Sequence, residues 1–437
     1  MPLLDKLHAV VGAAHVRTGV DLSPYVIDGR TPEAAVFPGT LDEVAAVVAA
    51  AAEVGMPLVP WGGGTAAAVG MPPARAGLVL ALTRLRAIVE HEPGDLTVTA
   101  QAGLKLAELQ SALRARGHWL SLDPPDGDRA TLGGVLAANA SGPRRHLYGT
   151  ARDLLIGVTV VTADGSIVRG GGRVVKNVAG YDLPKLFIGS YGTLGVIVEA
   201  TLKLRPLPDH EQLVAVRFER LKDAGAAVRA LLGSDLIPNA IDLLDAASAA
   251  AIGLDGAPAT LVVGFDGLRE QVDWQVTQLA SVAGPYGGRA ATPLPPTAWG
   301  PLGRAAHDAF GTPVAVVTLS VLPSLVADTM EQGASSARHR GLTTAWSAHA
   351  GVGLVTGAVR AEGERQDPAA LAAVLAAWRA AARVGGGHAS VTWAPLAVKS
   401  TLAVWDDAGA AGRIMQRIKA ELDPQNLLNP GRFVAGI

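Results

Sequence analysis

Residues Arg173 to Ile197 read RVVKNVAGYDLPKLFIGSYGTLGVI, and this stretch decides how the rest of the chain is interpreted. It contains the glycines Gly180, Gly189, Gly192 and Gly195, and its polar side chains include Lys176, Asn177, Tyr181, Asp182, Ser190 and Thr193. A strand-like run, residues 195–204, follows at once. Glycine at this density indicates a place where the backbone approaches another group closely.

The composition indicates a folded chain of about two domains, because 437 residues are too many for one compact core. Hydrophobic residues make up 49% and charged residues 17%, which excludes a disordered chain. A net charge of −2, without a run of Lys or Arg, argues against nucleic acid as a partner.

The chain has no cysteine, which excludes disulfides, thiolate zinc sites, a cysteine nucleophile and iron–sulfur ligation by this polypeptide. Redox chemistry would therefore use a bound organic cofactor, with any iron–sulfur centre on another subunit. No apolar run approaches the roughly 20 residues of a transmembrane helix, and the N-terminus lacks a signal-peptide pattern. We therefore expect a cytoplasmic protein without a transmembrane segment.

A strand–helix–strand unit delivers a glycine loop early in the chain. Residues 34–37 read as a strand, and Thr40 with Glu43 forms a capping box for a helix that ends at Gly55. The strand 57–60 then runs into Trp61-Gly-Gly-Gly-Thr65. A dinucleotide GxGxxG fingerprint would need glycine where Ala67 stands, and no Walker lysine follows.

Further elements alternate along the chain. We predict strands at 78–82, 96–101, 157–162, 166–169 and 195–204, a helix at 105–116, and a type I′ turn at Asp164-Gly165. After a prolyl linker at 206–208, strands and helices alternate as in an antiparallel sheet with helices on one side. A final helix, 413–422, precedes Asn429-Pro-Gly-Arg432.

The order of motifs resembles the FAD-binding (PCMH-type) domain of vanillyl-alcohol-oxidase-like flavoproteins. These motifs are Trp61-Gly-Gly-Gly-Thr65, Thr131-Leu-Gly-Gly134, Lys176-Asn-Val-Ala-Gly-Tyr-Asp182, Gly192-Thr-Leu-Gly-Val-Ile197 and Asn429-Pro-Gly-Arg432. The amino-acid sequence of residues 174–183, together with His349-Ala-Gly351 and Val404-Trp405, is most similar to the FAD-binding E subunit of bacterial glycolate oxidases. That subunit is generally shorter than this chain, and the match does not extend well to about 210–340.

The resemblance implies an α+β fold. It comprises a helical lead-in (1–26), a two-subdomain FAD-binding PCMH-type domain (27–206), an antiparallel-sheet and helix substrate or cap domain (207–412), and a C-terminal return to the FAD domain (413–437). It also implies FAD as the cofactor. Relatives that tether FAD through histidine carry it just after the triple glycine, where Thr65 stands here, so we expect non-covalent FAD.

The amides of the triple glycine are suited to a pyrophosphate. The cofactor-binding residues expected from the motifs are Trp61, Gly62, Gly63, Gly64, Thr65, Thr131, Gly133, Gly134, Asn139, Ser141, Gly142, Lys176, Tyr181, Gly192, Thr193, Val196, Ile197 and Asn429. Structural roles stay open for several of them. The glycine loop and 131–134 also suit simple turns, Tyr181 suits a core residue, and Lys176 suits a solvated charge.

Catalytic residues are harder to predict. Family members that oxidise D-2-hydroxy acids carry a HxGDGNxH-like and a GEHGIG-like motif. Here His349 is followed by Val352 and Leu354 in place of the acid and amide, and no glutamate precedes His388. We expect no metal site, and His349 and His388 are candidates for a base or substrate ligand. Arg360, Lys399 and Arg432 are candidate cations for a substrate carboxylate.

We therefore expect an FAD-dependent oxidoreductase acting on CH–OH groups, with a small 2-hydroxy acid as substrate and hydride transfer to flavin N5. It would be the FAD-binding subunit of a glycolate oxidase-like complex, with catalytic and iron–sulfur partner subunits through which it would associate with a membrane. Two alternatives stay open: a stand-alone FAD-linked D-2-hydroxy-acid or alcohol oxidoreductase, and a non-catalytic assembly subunit with the FAD fold.

Overall fold

A computed structural model describes residues 1–172, 182–254, 256–289, 291–361 and 367–437. Within them the helices are α1 (Leu3–Val11), α2 (Leu41–Glu53), α3 (Leu106–Arg114), α4 (Leu132–Ala138), α5 (Arg145–Tyr148), α6 (Ala151–Leu154), α7 (Pro184–Phe187), α8 (Leu221–Leu232), α9 (Ala246–Ala251), α10 (Arg269–Ala283), α11 (Trp299–Leu302), α12 (Ala305–Asp308), α13 (Val326–Arg338), α14 (Pro368–Val384), α15 (Leu396–Lys399) and α16 (Ala410–Leu422).

The strands are β1 (Val16–Arg17), β2 (Ala34–Val36), β3 (Leu58–Trp61), β4 (Leu78–Ala81), β5 (Ile88–Glu92), β6 (Thr97–Gln101), β7 (His118–Trp119), β8 (Leu155–Val161), β9 (Ile167–Gly171), β10 (Val196–Lys203), β11 (Arg205–Pro206), β12 (His210–Phe218), β13 (Ala240–Asp245), β14 (Ala259–Gly267), β15 (Thr292–Leu294), β16 (Ala315–Ser320), β17 (Leu342–His349), β18 (Leu354–Ala361) and β19 (His388–Trp393). The chain divides into two compact units. The first comprises 1–141, 150–207 and 407–437, and the second comprises 142–149 and 208–406.

The first unit begins with a mixed four-stranded sheet in the order β1-β2-β4-β3. Strands β2 and β3 both run parallel to β4, so the chain must cross over between them, and α2 makes the crossing. Thr40 caps α2 by accepting a bond from the Glu43 amide at 3.1 Å. The predicted capping box is wrong in its second half, because the Glu43 carboxylate accepts from the Gly39 amide at 2.7 Å instead of from Thr40.

A second sheet of the first unit is antiparallel, in the order β5-β6-β10-β8-β9. Its hairpin between β8 and β9 turns at Asp164-Gly165, as predicted, but the turn is not type I′. Only Gly165 has a positive φ, and its amide donates to Thr162 O at 2.9 Å while the Thr162 amide donates to Ser166 O. This is a three-residue turn with Gly165 in the bulge position.

The second unit is built on an eight-stranded antiparallel sheet, in the order β15-β12-β14-β13-β17-β18-β16-β19. Four long helices, α8, α10, α13 and α14, form a layer on one face. Trp346 of β17 packs there against Trp378 of α14, with ring centroids 4.4 Å apart. The opposite face carries the short helices α9 and α12 over part of its area, and Asp242 and His349 are among its polar side chains. The predicted α+β class is confirmed.

Candidate functional site

The glycine loop of the first unit lies directly against the start of α4. A Cβ on Gly62 would be 2.0 Å from the Thr131 hydroxyl oxygen, and one on Gly63 would be 1.9 Å from the backbone oxygen of Arg129. Only glycine permits this approach at Gly63, because a backbone oxygen cannot move aside as a side chain can. The fold thus brings two of the predicted cofactor motifs together.

A third motif joins them at the other end of α4. The amide of Gly189 donates to Leu136 O at 3.1 Å, and that of Tyr191 donates to Ala137 O at 2.9 Å. Tyr191 and Gly192 both have a positive φ, which turns the chain sharply at this point. Burial raises the pKa of Tyr191 to about 12.

The C-terminal return closes the arrangement within the first unit. Leu58 of β3 exchanges backbone hydrogen bonds of 2.8 Å with Leu427 and Asn429, so the tail lies alongside β3. The Asn429 side-chain amide donates to Tyr191 O at 2.6 Å. Segments that lie far apart in the sequence therefore meet around one region.

This region contains polar groups without protein partners. In the described part of the chain, no protein group accepts a hydrogen bond from the amides of Gly62, Gly63, Gly64 and Thr65. Four side-chain atoms there are buried and also unpartnered: Thr131 Oγ1, Asn139 Oδ1, Ser141 Oγ and Asn429 Oδ1. Buried polar groups normally form hydrogen bonds, so we expect a bound ligand to be the partner of these atoms. A dinucleotide with a pyrophosphate and a heterocyclic ring fits that set.

Other predicted cofactor residues have protein contacts of their own. Trp61 packs edge-on against Tyr25, with centroids 5.5 Å apart. A Cβ on Gly133 would be 2.6 Å from the Ala102 Cβ, whereas one on Gly134 would meet only the Thr131 hydroxyl, at 3.3 Å.

Thr193 is fully buried, and its hydroxyl donates to Ser190 O at 2.7 Å. Its side chain therefore stabilises the loop, and its predicted role as a donor to the cofactor has no support in this contact. Val196 and Ile197 pair with β8 on one side, while pairing with β6 begins only at Glu199. Among the described residues no strand pairs with their other backbone edge, which suits contacts to a ligand through the main chain.

Three predicted residues remain, namely Lys176, Tyr181 and Gly142. Lys176 and Tyr181 lie outside the described residues. Gly142 opens the segment 142–149 that groups with the second unit, one residue after Ser141.

Sequence reasoning missed Lys419, a buried lysine of α16 that fastens the C-terminal return. Its Nζ donates to the backbone oxygens of Thr193 at 2.8 Å and Leu428 at 2.9 Å, and to the Asp423 carboxylate at 2.5 Å. Burial lowers the pKa of Lys419, and Asp423 opposes that shift. The i,i+4 spacing of Lys419 and Asp423 was the available signal, but spacing alone cannot reveal burial.

The two candidate histidines lie on the polar face of the second unit, in one row across the sheet. The register runs Asp242, His349, Leu354, Ser320 and His388. Three strand spacings separate the histidines, which is roughly 15 Å. They therefore do not form a pair. His388 is exposed, whereas His349 Nδ1 contacts the buried carboxylate of Asp242.

The segment 142–149 contributes further polar side chains to the second unit. Arg144 donates two bonds to one Glu211 carboxylate oxygen, at 2.6 and 2.9 Å, and stacks over Trp299. The Tyr148 hydroxyl lies 2.7 Å from both carboxylate oxygens of Asp266. No spacing in the sequence predicts these contacts.

His146, in the same segment, lies against Gly351, where a Cβ would be 2.4 Å from its Nδ1. Burial lowers the pKa of His146, and the charge of Asp242 opposes that shift.

The candidate cations for a substrate carboxylate have surroundings that differ from one to the next. Arg432 is buried and donates to the backbone oxygens of Met71, Ala67 and Val69, so it clamps the chain after the glycine loop. Arg360 stacks on Phe310 and is the strand partner of Thr343. It lies six residues along β18 from Leu354, the strand partner of His349, which is a distance of roughly 20 Å. Lys399 is 1% exposed.

The described residues contain neither a metal-binding cluster nor a membrane-spanning helix. No three His, Asp or Glu side chains among them lie together in a geometry that holds a metal ion. In the same part of the chain, no helix combines the length and apolar character needed to cross a membrane.

Two family models match the chain. "FAD binding domain" matches residues 32–171, and "FAD linked oxidases, C-terminal domain" matches residues 207–433, more than half of the chain. The matches agree with the resemblance predicted from the motifs.

Curated relatives carry hydroxy-acid names. Glycolate oxidase subunit GlcD of Bacillus subtilis is 34% identical over 258 residues, 57% of this chain and 55% of that protein. GlcE of Escherichia coli is 42% identical over 153 residues, 35% of this chain and 43% of that protein. A probable mitochondrial D-lactate dehydrogenase of Danio rerio is 28% identical over 93% of this chain and 85% of that protein. The match to the Bacillus relative thus spans about half of its length.

Solved structures share the fold at low identity. p-Cresol methylhydroxylase with bound substrate has a TM-score of 0.76 at 18% identity, covering 100% of this chain and 96% of that one. Alkyldihydroxyacetonephosphate synthase has a TM-score of 0.75 at 19% identity, covering 99% of this chain and 86% of that one. These likenesses concern the fold alone.

Proposed function

This chain belongs to the FAD-linked oxidases, and from that premise we propose that it oxidises a small 2-hydroxy acid as the FAD-binding subunit of a glycolate oxidase-like complex. One observation carries the proposal. The unpartnered amides of the glycine loop and the buried, unpartnered atoms of Thr131, Asn139, Ser141 and Asn429 gather in the first unit. Glycolate oxidase subunits among the relatives support the substrate class and the complex.

FAD is the cofactor, as predicted, since the chain carries the family's FAD binding domain. The amides of residues 62–65 would hold the pyrophosphate, and the side chains of Thr131 and Asn429 would hold polar atoms of the bound molecule. Thr65 occupies the position of a tethering histidine, so we expect dissociable FAD. Bound FAD supplies a two-electron acceptor for a substrate C–H bond. The chain itself must then accept the hydroxyl proton, and His349 has the contacts for that task.

Two alternatives each have a specific observation in their favour. The match to a probable D-lactate dehydrogenase over nearly the whole chain favours a stand-alone D-2-hydroxy-acid oxidoreductase. Val352 and Leu354, which replace an acid and an amide after His349, favour a non-catalytic assembly subunit. Iron–sulfur partner subunits and a cytoplasmic location belong to the same proposal as the complex.

Spectroscopy of the purified chain tests the proposal. We expect the visible absorption of oxidised flavin, released into the supernatant on acid precipitation because the FAD is not tethered. Anaerobic glycolate or D-lactate should bleach it. Rapid turnover of either acid by the isolated chain with an artificial acceptor would favour the stand-alone enzyme. Colourless protein that takes up no added FAD would contradict both oxidoreductase functions and favour the assembly role.

A further inference from the structure

We propose that Asp242 is a positioning residue for His349, and that this pair accepts the proton of the substrate hydroxyl. The inference rests on the proposed function, and it assigns a role to a carboxylate that sequence reasoning did not single out. It is carried by the geometry of two neighbouring strands in the second unit.

The pairing follows from strand register. Asp242 of β13 and His349 of β17 are direct partners on antiparallel strands, so both side chains leave the same face of the sheet. Asp242 Oδ1 contacts His349 Nδ1. An ionised carboxylate only accepts hydrogen bonds, so Nδ1 must carry the proton of a neutral imidazole. Nε2 is then the basic nitrogen, which is the arrangement that a proton acceptor needs.

The two side chains differ in how far they are buried. The side chain of Asp242 is 3% exposed, whereas that of His349 is 15% exposed, so the imidazole lies between the carboxylate and the accessible side. The second carboxylate oxygen of Asp242 is buried and has no partner in the described part of the chain. A carboxylate with so few donors stabilises the imidazolium that forms when His349 takes a proton.

The backbone holds His349 in place. The residue ends β17 and leads into the 3-10 turn Ala350–Val352, after which Gly353 has φ +70°. A Cβ on Gly353 would be 1.9 Å from the backbone oxygen of Val321, so this conformation is tightly enclosed. A fixed turn keeps the imidazole at a constant distance from Asp242.

Neighbouring ionisable groups do not share the contacts of His349. From α5, His146 is packed against Gly351, and the charge of Asp242 acts on it, but its Nδ1 has no hydrogen-bond partner among the described residues. Tyr148 is bonded to Asp266 of β14. Asp245, at the start of α9, accepts a bond from the Ser248 amide at 2.8 Å. Among these groups, His349 is the one that combines a carboxylate partner with an accessible edge.

The reaction balances with these groups. The substrate C–H bond breaks, and FAD, when bound, would supply the acceptor for its electron pair. The O–H bond breaks and its proton moves to Nε2 of His349, while the C=O bond forms. Asp242 stays ionised and holds the imidazolium through Nδ1–H.

Stopped-flow reduction of the FAD-loaded chain by glycolate and D-lactate tests the pair. We expect Asp242→Asn to slow flavin reduction by about 10²-fold or more with little change in the substrate dissociation constant. His349→Ala should slow it by about 10²–10⁴-fold, and added imidazole should restore part of the rate. His339→Ala, an exposed histidine at the end of α13, is the matched control and should reduce at the wild-type rate.

FAD content and reduction by dithionite, which report cofactor binding and folding, should be the same in all four proteins. The ¹⁵N spectrum of labelled histidines, assigned by comparison with His349→Ala, reports the tautomer whether or not the chain turns over. We expect Nδ1–H at His349 in the wild type and loss of that preference in Asp242→Asn. If no 2-hydroxy acid reduces the flavin of the wild type while His349 shows this tautomer, the proposed function is contradicted and the Asp242–His349 pairing stands. An unchanged tautomer and rate in Asp242→Asn would overturn the inference.

Discussion

Single residues in the first unit show which parts of the glycine loop are fixed by packing and which by ligand binding. Gly63 is fixed by the backbone oxygen of Arg129, whatever binds at the loop. The amide of the same residue has no acceptor in the described chain. Gly63 therefore both allows the close packing and offers an amide to the cofactor, so its substitution should affect loop packing and FAD binding together.

We predict that Gly63→Ala lowers FAD affinity at least tenfold, or about 1.4 kcal/mol, because its methyl group must push the loop away from Arg129. Fluorescence titration of the apoprotein with FAD measures the change. Gly94→Ala is the control, since a Cβ there has no atom within 4 Å. Equal affinity in the two variants would contradict the prediction.

His146 gives a pH prediction at the same scale. Burial lowers its pKa below the ordinary 6.5, so the unfolded chain binds a proton that the folded chain resists. The contribution of this histidine is present above pH 6.5 and is lost as pH falls towards the folded pKa. We expect the thermal midpoint of the wild type to fall more steeply between pH 7.5 and 5.5 than that of His146→Gln. His339→Gln, changed at an exposed site, should keep the wild-type slope, and parallel curves for the wild type and His146→Gln would refute the prediction.

At the scale of elements, local signals were sufficient where partners lie close in sequence. The Thr40 cap, the strand–helix–strand order and the turn at Gly165 depend on neighbouring residues, and the structure contains all three. Contacts between Lys419 and Thr193, or between Asp242 and His349, depend on register between distant segments. Periodicity places a residue on a face of its element but does not identify its partner across the fold.

We predict that Lys419→Met destabilises the first unit by about 3–5 kcal/mol, because it leaves the buried carboxylate of Asp423 without its cation. Urea unfolding measures the loss, and FAD should dissociate at lower urea as the tail detaches. Lys419→Met with Asp423→Asn should be less destabilised than the single variant. Lys185→Met removes an exposed i,i+3 partner of Asp182 and should cost no more than about 1 kcal/mol. Similar losses in both single lysine variants would contradict the assigned role.

For the whole molecule, the unpartnered amides of residues 62–65 and the unpartnered side-chain atoms of Thr131, Asn139, Ser141 and Asn429 all belong to the first unit. We therefore expect FAD to stabilise that unit. At a free concentration of 100 times its dissociation constant, FAD contributes about 2.7 kcal/mol, equivalent to about 5–10 °C for a unit of this size. Differential scanning calorimetry should show two transitions, of which FAD raises one. A shift of both by the same amount would mean that the units melt as one.

The grouping of residues 142–149 with the second unit has a consequence for proteolysis and for truncation of the chain. The chain passes between the units at four points, after residues 141, 149, 207 and 406, so each unit is assembled from separate pieces. A protease that cleaves once at the linker near 207 leaves two fragments, and each fragment contains parts of both units. Such fragments should co-elute in native chromatography and part only in denaturant. Gene truncation at the same point would likewise deprive the N-terminal fragment of the strand-like tail beside β3.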